Sequence, residues 1–179
     1  MGSARCAIII PTHNRLDDLM ATLAVQVPAA DGLADIWVVD NAGTDGSARA
    51  VRDRFPSVNL VTLPENRLAA ARNEAAARAD ADFLVMLDDD STIDRDSLGR
   101  IPAAFDARAH LAAIGCLTRR DTGRPDDDIH YEPGGLPGVF IGCGAAIRRQ
   151  AWLDAGGYPA DFGFYVEEYD LCCRLWQAG

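Results

Sequence analysis

The chain has 179 residues, 49% of them hydrophobic and 25% charged, with a formal net charge of −10 at pH 7. That length suits one domain with ample apolar material for a core, and the acidic balance repels phosphate backbones, which excludes nucleic acid as a partner. All 17 basic residues are arginine, so chemistry that rests on a Schiff-base lysine or a phosphate-loop lysine is excluded too.

Short apolar runs alternate with helical patterns along the chain. Cys6 to Ile10 reads as a buried strand, stopped by Pro11. Leu16, Leu19, Met20 and Leu23 follow at three- and four-residue spacing, an amphipathic helix with Asn14 where a cap belongs. Ile36–Val39 is a second strand, Ala48–Phe55 a helix ended by Pro56, and Val58–Leu63 a third strand. Leu68–Ala79 is an alanine-rich helix, Phe83–Leu87 a fourth strand, Ser97–Arg108 a helix and Leu111–Leu117 a further strand. Arg119–Gly138, rich in Arg, Asp, Gly and Pro, reads as a mobile surface loop. Strand character returns over Val139–Ile147, then come a short helix at Gln150–Ala155 and a last one at Glu167–Gln177. No apolar run approaches the ~20 residues that span a bilayer, and Ala7 to Ile10 is too short for a secretory signal. The chain therefore reads as cytoplasmic, with room for peripheral association at the inner face of the membrane. The five cysteines have neither the number nor the spacing of a disulfide framework or zinc site, and read as small buried hydrophobes.

Apolar strands alternating with helices indicate βαβ units and a mostly parallel sheet. In such sheets ligands sit beyond the carboxyl ends of the strands. The loops at those ends should then carry the chemistry, and they are short and polar: Pro11-Thr12-His13-Asn14, Asp40 to Gly46, and Asp88-Asp89-Asp90. Alternation along an extended chain puts Asp88 and Asp90 on one side and Asp89 on the other. Carboxylates this close cost energy unless a cation offsets them, and magnesium or manganese takes one or two carboxylates plus substrate phosphates. The competing reading of the run is a solvated acidic turn before a helix. Asp40 could accept from a base N–H or simply close its turn, and Arg72 could meet phosphate through a bidentate contact or face solvent. Glu167, Glu168 and Asp170 stand in the first turn of the last helix, where the dipole alone favours acids. One of them could serve as a general base, with Phe164 and Tyr165 as desolvating surface. The histidines His13, His110 and His130 read as structural.

Taken in order, these segments resemble the family 2 glycosyltransferases of the GT-A fold. The resemblance rests on Ile8 to Arg15, on Val38 to Ser47, on Glu65-Asn66 followed by Ala71-Arg72-Asn73, and on Leu87-Asp88-Asp89-Asp90. Gly142-Cys143-Gly144-Ala145 with Gly156-Gly157-Tyr158, and Glu167-Glu168-Tyr169-Asp170-Leu171 with Arg174, complete it. It implies a three-layer α/β/α sandwich with a Rossmann-like, mostly parallel central sheet. One domain over 1–179 is expected, residues 1–117 forming the nucleotide-sugar half and 118–179 the acceptor half, short at its C-terminus. It implies that Pro11 and Thr12 line the nucleotide pocket, that Asp40 holds the base and that Arg72 lies by the diphosphate, with Asn14 and Asp89 in the same substrate-binding set. Asp88 and Asp90 are implied as ligands of a divalent cation, Mn2+ or Mg2+. The base is Glu168 or Glu167. The family's reaction moves a sugar, with inversion, from a nucleotide diphosphate sugar to a hydroxyl on a saccharide, a lipid-linked group or another acceptor. Two other readings are a non-catalytic remnant of the same fold and a sugar nucleotidyltransferase. The latter should open with a glycine-rich loop and use a lysine, and this chain has neither.

Overall fold

The computed structural model describes residues 6–119, 139–162 and 166–178. The expected loop beyond Arg119, together with His130, Phe164 and Tyr165, lies outside the described residues.

Six strands form one sheet in the order β3-β2-β1-β4-β6-β5. The strands are β1 (Cys6–Thr12), β2 (Ala34–Asp40), β3 (Asn59–Thr62), β4 (Phe83–Met86), β5 (Ala113–Gly115) and β6 (Ala145–Arg148). β1 pairs in parallel with β2 and with β4, and β2 with β3; β6 runs antiparallel to both of its neighbours. The register sets Thr12 opposite Asp40 and Ile9 opposite Met86, so the ends of β1, β2 and β4 share one edge of the sheet.

Alternation along the strands feeds two cores. On one face Ala7, Ile9, Val39, Leu84 and Met86 meet the helices α3 (Arg72–Arg78), α5 (Arg149–Ala155) and α6 (Glu167–Ala178) through Ala75, Ala76, Trp152, Leu171 and Leu175. On the other, Ile8, Ile10, Val38 and Val85 meet α1 (Leu16–Ala30), α2 (Ser47–Arg54) and α4 (Arg95–Asp106) through Leu19, Leu23, Val51, Leu98 and Phe105. The result is the α/β/α sandwich with a mostly parallel sheet that the sequence implied. Strands buried on both faces have no polar side to alternate, which is why they read as unbroken apolar runs.

Two local expectations change. Asn14 does not cap α1. Its backbone is left-handed, with φ 56°, and Arg15 takes the cap position without a side-chain bond. The cap comes from another loop: Asp45 accepts from Leu16 N–H at 2.8 Å and from Ser47 N–H at 3.0 Å, which ties the starts of α1 and α2 together. The strand expected over Val139–Ile147 begins only at Ala145. Gly144 has φ +85°, and its N–H joins Met86 O at 2.8 Å, so the chain enters the sheet through a glycine turn and residues 139–143 are left to line the cleft described next.

Candidate active site

The shared strand edge opens into a cleft of about 740 Å³, walled by the loops after β1, β2 and β4, by residues 139–143 and by the start of α6. The floor is the strand edge itself. Thr12 is buried at the end of β1 and donates from Oγ1 to Asp89 at 2.8 Å. Asp89 is 5% exposed, and burial pushes its carboxyl above the usual aspartate range while the Thr12 hydroxyl and Arg15 pull it down. Asp88 and Asp90 stand on the open side, with side chains 45% and 52% exposed.

Each of the three carboxylates is matched by arginine. Arg72, buried on α3, reaches Asp88 at 2.5 Å. Arg15 meets Asp89 at 3.0 Å and Asp90 at 2.9 Å. The repulsion expected within the aspartate run is thus offset by two cations that themselves line the cleft.

The second loop is a frame. Asp40, 6% exposed, accepts from Gly43 N–H at 2.8 Å, and a Cβ on Gly43 would lie 2.6 Å from that same oxygen. Asn14 Oδ1 accepts from Thr44 N–H at 2.7 Å, so the first and second loops are joined side chain to backbone. Asn41 donates to Asn66 and accepts from Arg67 N–H, both at 2.8 Å, which fixes the loop before α3. His13 Nδ1 lies 2.8 Å from Asn41 O. Asp40 and Asn14 hold the loops at the back of the pocket, and Pro11, Thr12, His13 and Asn41 line it.

On the facing wall Glu168 accepts from Gly142 N–H at 3.1 Å. Its carboxyl titrates above the ordinary glutamate value: burial is the main cause, the Glu167 charge adds to it, and Gly142 N–H and Arg72 oppose it. Glu167 also borders the cleft but is 8% exposed. Its Oε2, Arg72 Nε and Tyr158 Oη are buried without a hydrogen-bond partner among the described residues. Asn73 clamps Tyr158 by donating to its carbonyl at 2.7 Å and accepting from its N–H at 3.0 Å. Gln26, Trp37 and Ser47, away from the cleft lining, also hold a buried polar atom without a partner among the described residues, so such an atom does not by itself mark a ligand.

The glycosyl transferase family 2 model matches residues 7–162, which include both strand-end loops and the aspartate run. The chain belongs to glycosyl transferase family 2. It is similar to the succinoglycan biosynthesis protein ExoU of Rhizobium meliloti (strain 1021), at 30% identity over 93% of this chain and 55% of that protein. It is also similar to the validoxylamine A glucosyltransferase of Streptomyces hygroscopicus subsp. jinggangensis (strain 5008), at 28% identity over 69% of this chain and 31% of that one. The family 2 chain thus spans from about a third to just over half of these relatives' length. Among solved structures it resembles the mannosyltransferase PcManGT of Pyrobaculum calidifontis in complex with GDP-Man and Mn2+, with a TM-score of 0.69 and 27% identity over 89% of this chain and 49% of that one. S. aureus TarS 1–349 in complex with UDP-GlcNAc shares the fold, with a TM-score of 0.71 at 20% identity over 96% of this chain and 53% of that one.

Of the residues singled out from the family 2 sequence, the structure brings Pro11, Thr12, Arg72, Asp88, Asp89, Asp90, Glu167 and Glu168 to one cleft. Sequence reading missed Arg15, Asn41 and Tyr169, which line the same cleft. Arg15 had a signal, since three adjacent aspartates call for more than one counter-charge; Asn41 and Tyr169 had none beyond their place beside marked residues.

Proposed function

We propose that this chain is the nucleotide-sugar-binding and base-carrying part of an inverting glycosyltransferase. One observation carries the reading: Arg15, Arg72, the three aspartates and the half-buried Glu168 line one cleft. The charged wall suits a nucleotide diphosphate sugar. Arg72 and Arg15 offer guanidinium groups to phosphate oxygens, and Pro11, Thr12 and Asn41 border the space left for the nucleoside, with Asp40 fixing its loop. In this reading residues 1–117 supply the donor side and 118–179 the acceptor side.

Among the described residues no three His, Cys, Asp or Glu side chains are grouped to hold a metal by themselves. Asp88 and Asp90 fit the other way of holding a hard cation, one or two carboxylates completed by phosphate oxygens and water. They would bind Mn2+ or Mg2+, which supplies charge stabilisation at the departing diphosphate when bound. Glu168 takes the proton from the acceptor hydroxyl, and its raised affinity for a proton suits that task. The hydroxyl oxygen attacks the anomeric carbon from the face opposite the diphosphate, and the configuration inverts. A retained fold without transfer is the second reading: Arg72 and Arg15 already pair with Asp88 and Asp90, the carboxylates a cation would need.

The test is transfer from UDP- and GDP-sugars in the presence of manganese, with Glu168→Gln alongside the parent. Transfer or donor hydrolysis that Glu168→Gln loses supports the enzyme. Nucleotide binding with no turnover in any pairing supports the second reading.

A further inference from the structure

The two sides of the cleft differ in more than charge. Ile141, Val166 and Tyr169 are 38%, 54% and 59% exposed, and all three line the cleft beside Glu168. Single apolar residues on a surface need no explanation. Leu68, 37% exposed, also lines the cleft, alone, on the turn before Arg72; the other three, from two separate segments, converge next to the candidate base and mark a contact surface.

We propose that this apolar wall is the acceptor subsite and that Tyr169 is a stacking platform for a pyranose ring; this rests on the glycosyl-transfer reading above. A diphosphate placed here would lose hydration without a counter-charge, so the donor keeps to the arginine side. The occupant of the apolar wall must combine an apolar face with a hydroxyl edge. A pyranose with axial C–H bonds on one face has both. Those hydrogens carry partial positive charge and meet the negative face of the tyrosine ring, while the equatorial hydroxyls stay free at the rim. Tyr169 follows Glu168 on α6, and consecutive helical residues point about 100° apart. The ring therefore flanks the carboxylate rather than covering it, and a sugar stacked on Tyr169 can present a hydroxyl to Glu168. Tyrosine has few torsions to freeze, so the platform costs little order.

The experiment uses the whole 179-residue chain with manganese and either UDP or GDP, and reads saturation-transfer NMR on added ligands. The probes are methyl β-glucopyranoside, methyl α-mannopyranoside and methyl N-acetyl-β-glucosaminide, with octyl phosphate as the lipid-like arm. The parent should saturate the ring protons of at least one glycoside. Tyr169→Ala should weaken that binding about tenfold, the scale of one aromatic contact, while Tyr169→Phe keeps it. Trp176→Ala is the control: Trp176 is 67% exposed on the same helix and outside the cleft lining, so its loss should change nothing. Equal melting temperatures show that all variants fold. Equal glycoside binding by Tyr169→Ala, binding of octyl phosphate alone, or no glycoside binding to a nucleotide-loaded parent would overturn the platform. The nucleotide signals in the same samples separate the two ideas. Absence of UDP and GDP binding removes the glycosyl-transfer reading, and with it the platform; bound nucleotide with unbound glycoside removes the platform alone.

Discussion

Glu168 is half-buried, accepts one backbone hydrogen bond and titrates above the ordinary glutamate range because burial penalises its charge. A carboxyl whose folded value is raised favours the fold in its protonated form. That contribution is full below the unfolded glutamate value and is lost as pH rises through the folded one. Glu168→Gln keeps an oxygen for Gly142 N–H and carries no charge to desolvate, so it should match or exceed the parent in melting temperature at pH 8. The same variant should lose transfer by roughly 10²–10⁴-fold, the scale of general-base catalysis, with donor affinity unchanged. In the parent the acid limb of kcat/KM should lie above the range of a free glutamate. Glu167→Gln tests the neighbour, and full loss of transfer there with Glu168→Gln active would move the base by one residue. The aspartates divide differently. Asp88→Asn and Asp90→Asn should each remove the manganese-dependent part of nucleotide affinity by calorimetry, since hard cations prefer charged oxygens. Asp89→Ala should act on the fold, because it strips the buried Thr12 hydroxyl of its acceptor and removes one of the carboxylates that hold Arg15. The loss should be about 1–3 kcal/mol by urea unfolding. Asp89 is set apart from its neighbours as expected, but by a turn rather than by strand alternation: β4 ends at Met86, and Ser91 N–H reaches back to Asp88 O at 3.2 Å. Which arginines meet them was not legible, because Arg15 lies far along the chain and is brought there only when β1 and β4 pair.

The elements were legible where one period governs them. β1, β2 and β4 read as apolar runs, and α1 and α4 as helical spacing, because a packed sandwich imposes those patterns over many residues. What escaped were features made by single long-range contacts. The cap of α1 is Asp45, on the loop after β2, and no local pattern around Leu16 reports it. Asp45→Ala should loosen the first turns of α1 and α2 together, at a cost of about 0.5–2 kcal/mol, seen as a lower midpoint in urea. The glycines before β6 and after α5 are equally non-local in purpose. A Cβ on Gly142 would fall 2.5 Å from Glu168 Oε1, so Gly142→Ala should displace that carboxylate and cut transfer while leaving the melting temperature close to the parent's. Gly157 has φ +66°, and a side chain there would meet Asn73 and Trp152. Gly157→Ala should cost about 1–3 kcal/mol of stability by strain alone, before any packing loss.

For the molecule as a whole, the fold, the order of the loops and most of the cleft followed from short runs of residues, while part of the cleft's second wall did not. Its residues 139–143 were read as strand, and their role emerges only because β6 starts late. The two walls should respond to different ligands. Nucleoside diphosphate with manganese should raise the melting temperature by mass action, and chelator should cancel most of the rise. The place of β6 in the sheet also bears on how the chain acquires its shape. β5 precedes β6 in the chain, yet it reaches the sheet only through β6. The parallel part of the sheet, β1 to β4, can complete its ladder as soon as Met86 is available. β5 has to wait, unpaired, until Ala145–Arg148 arrives to bridge it to β4. Assembly should therefore have a built-in order, with β1 to β4 early and β5 and β6 late. The same order should be written in amide exchange of the finished protein. The amides of β1 and β4 should open only with the whole fold, and those of β5 through smaller excursions in which β6 peels from its neighbour.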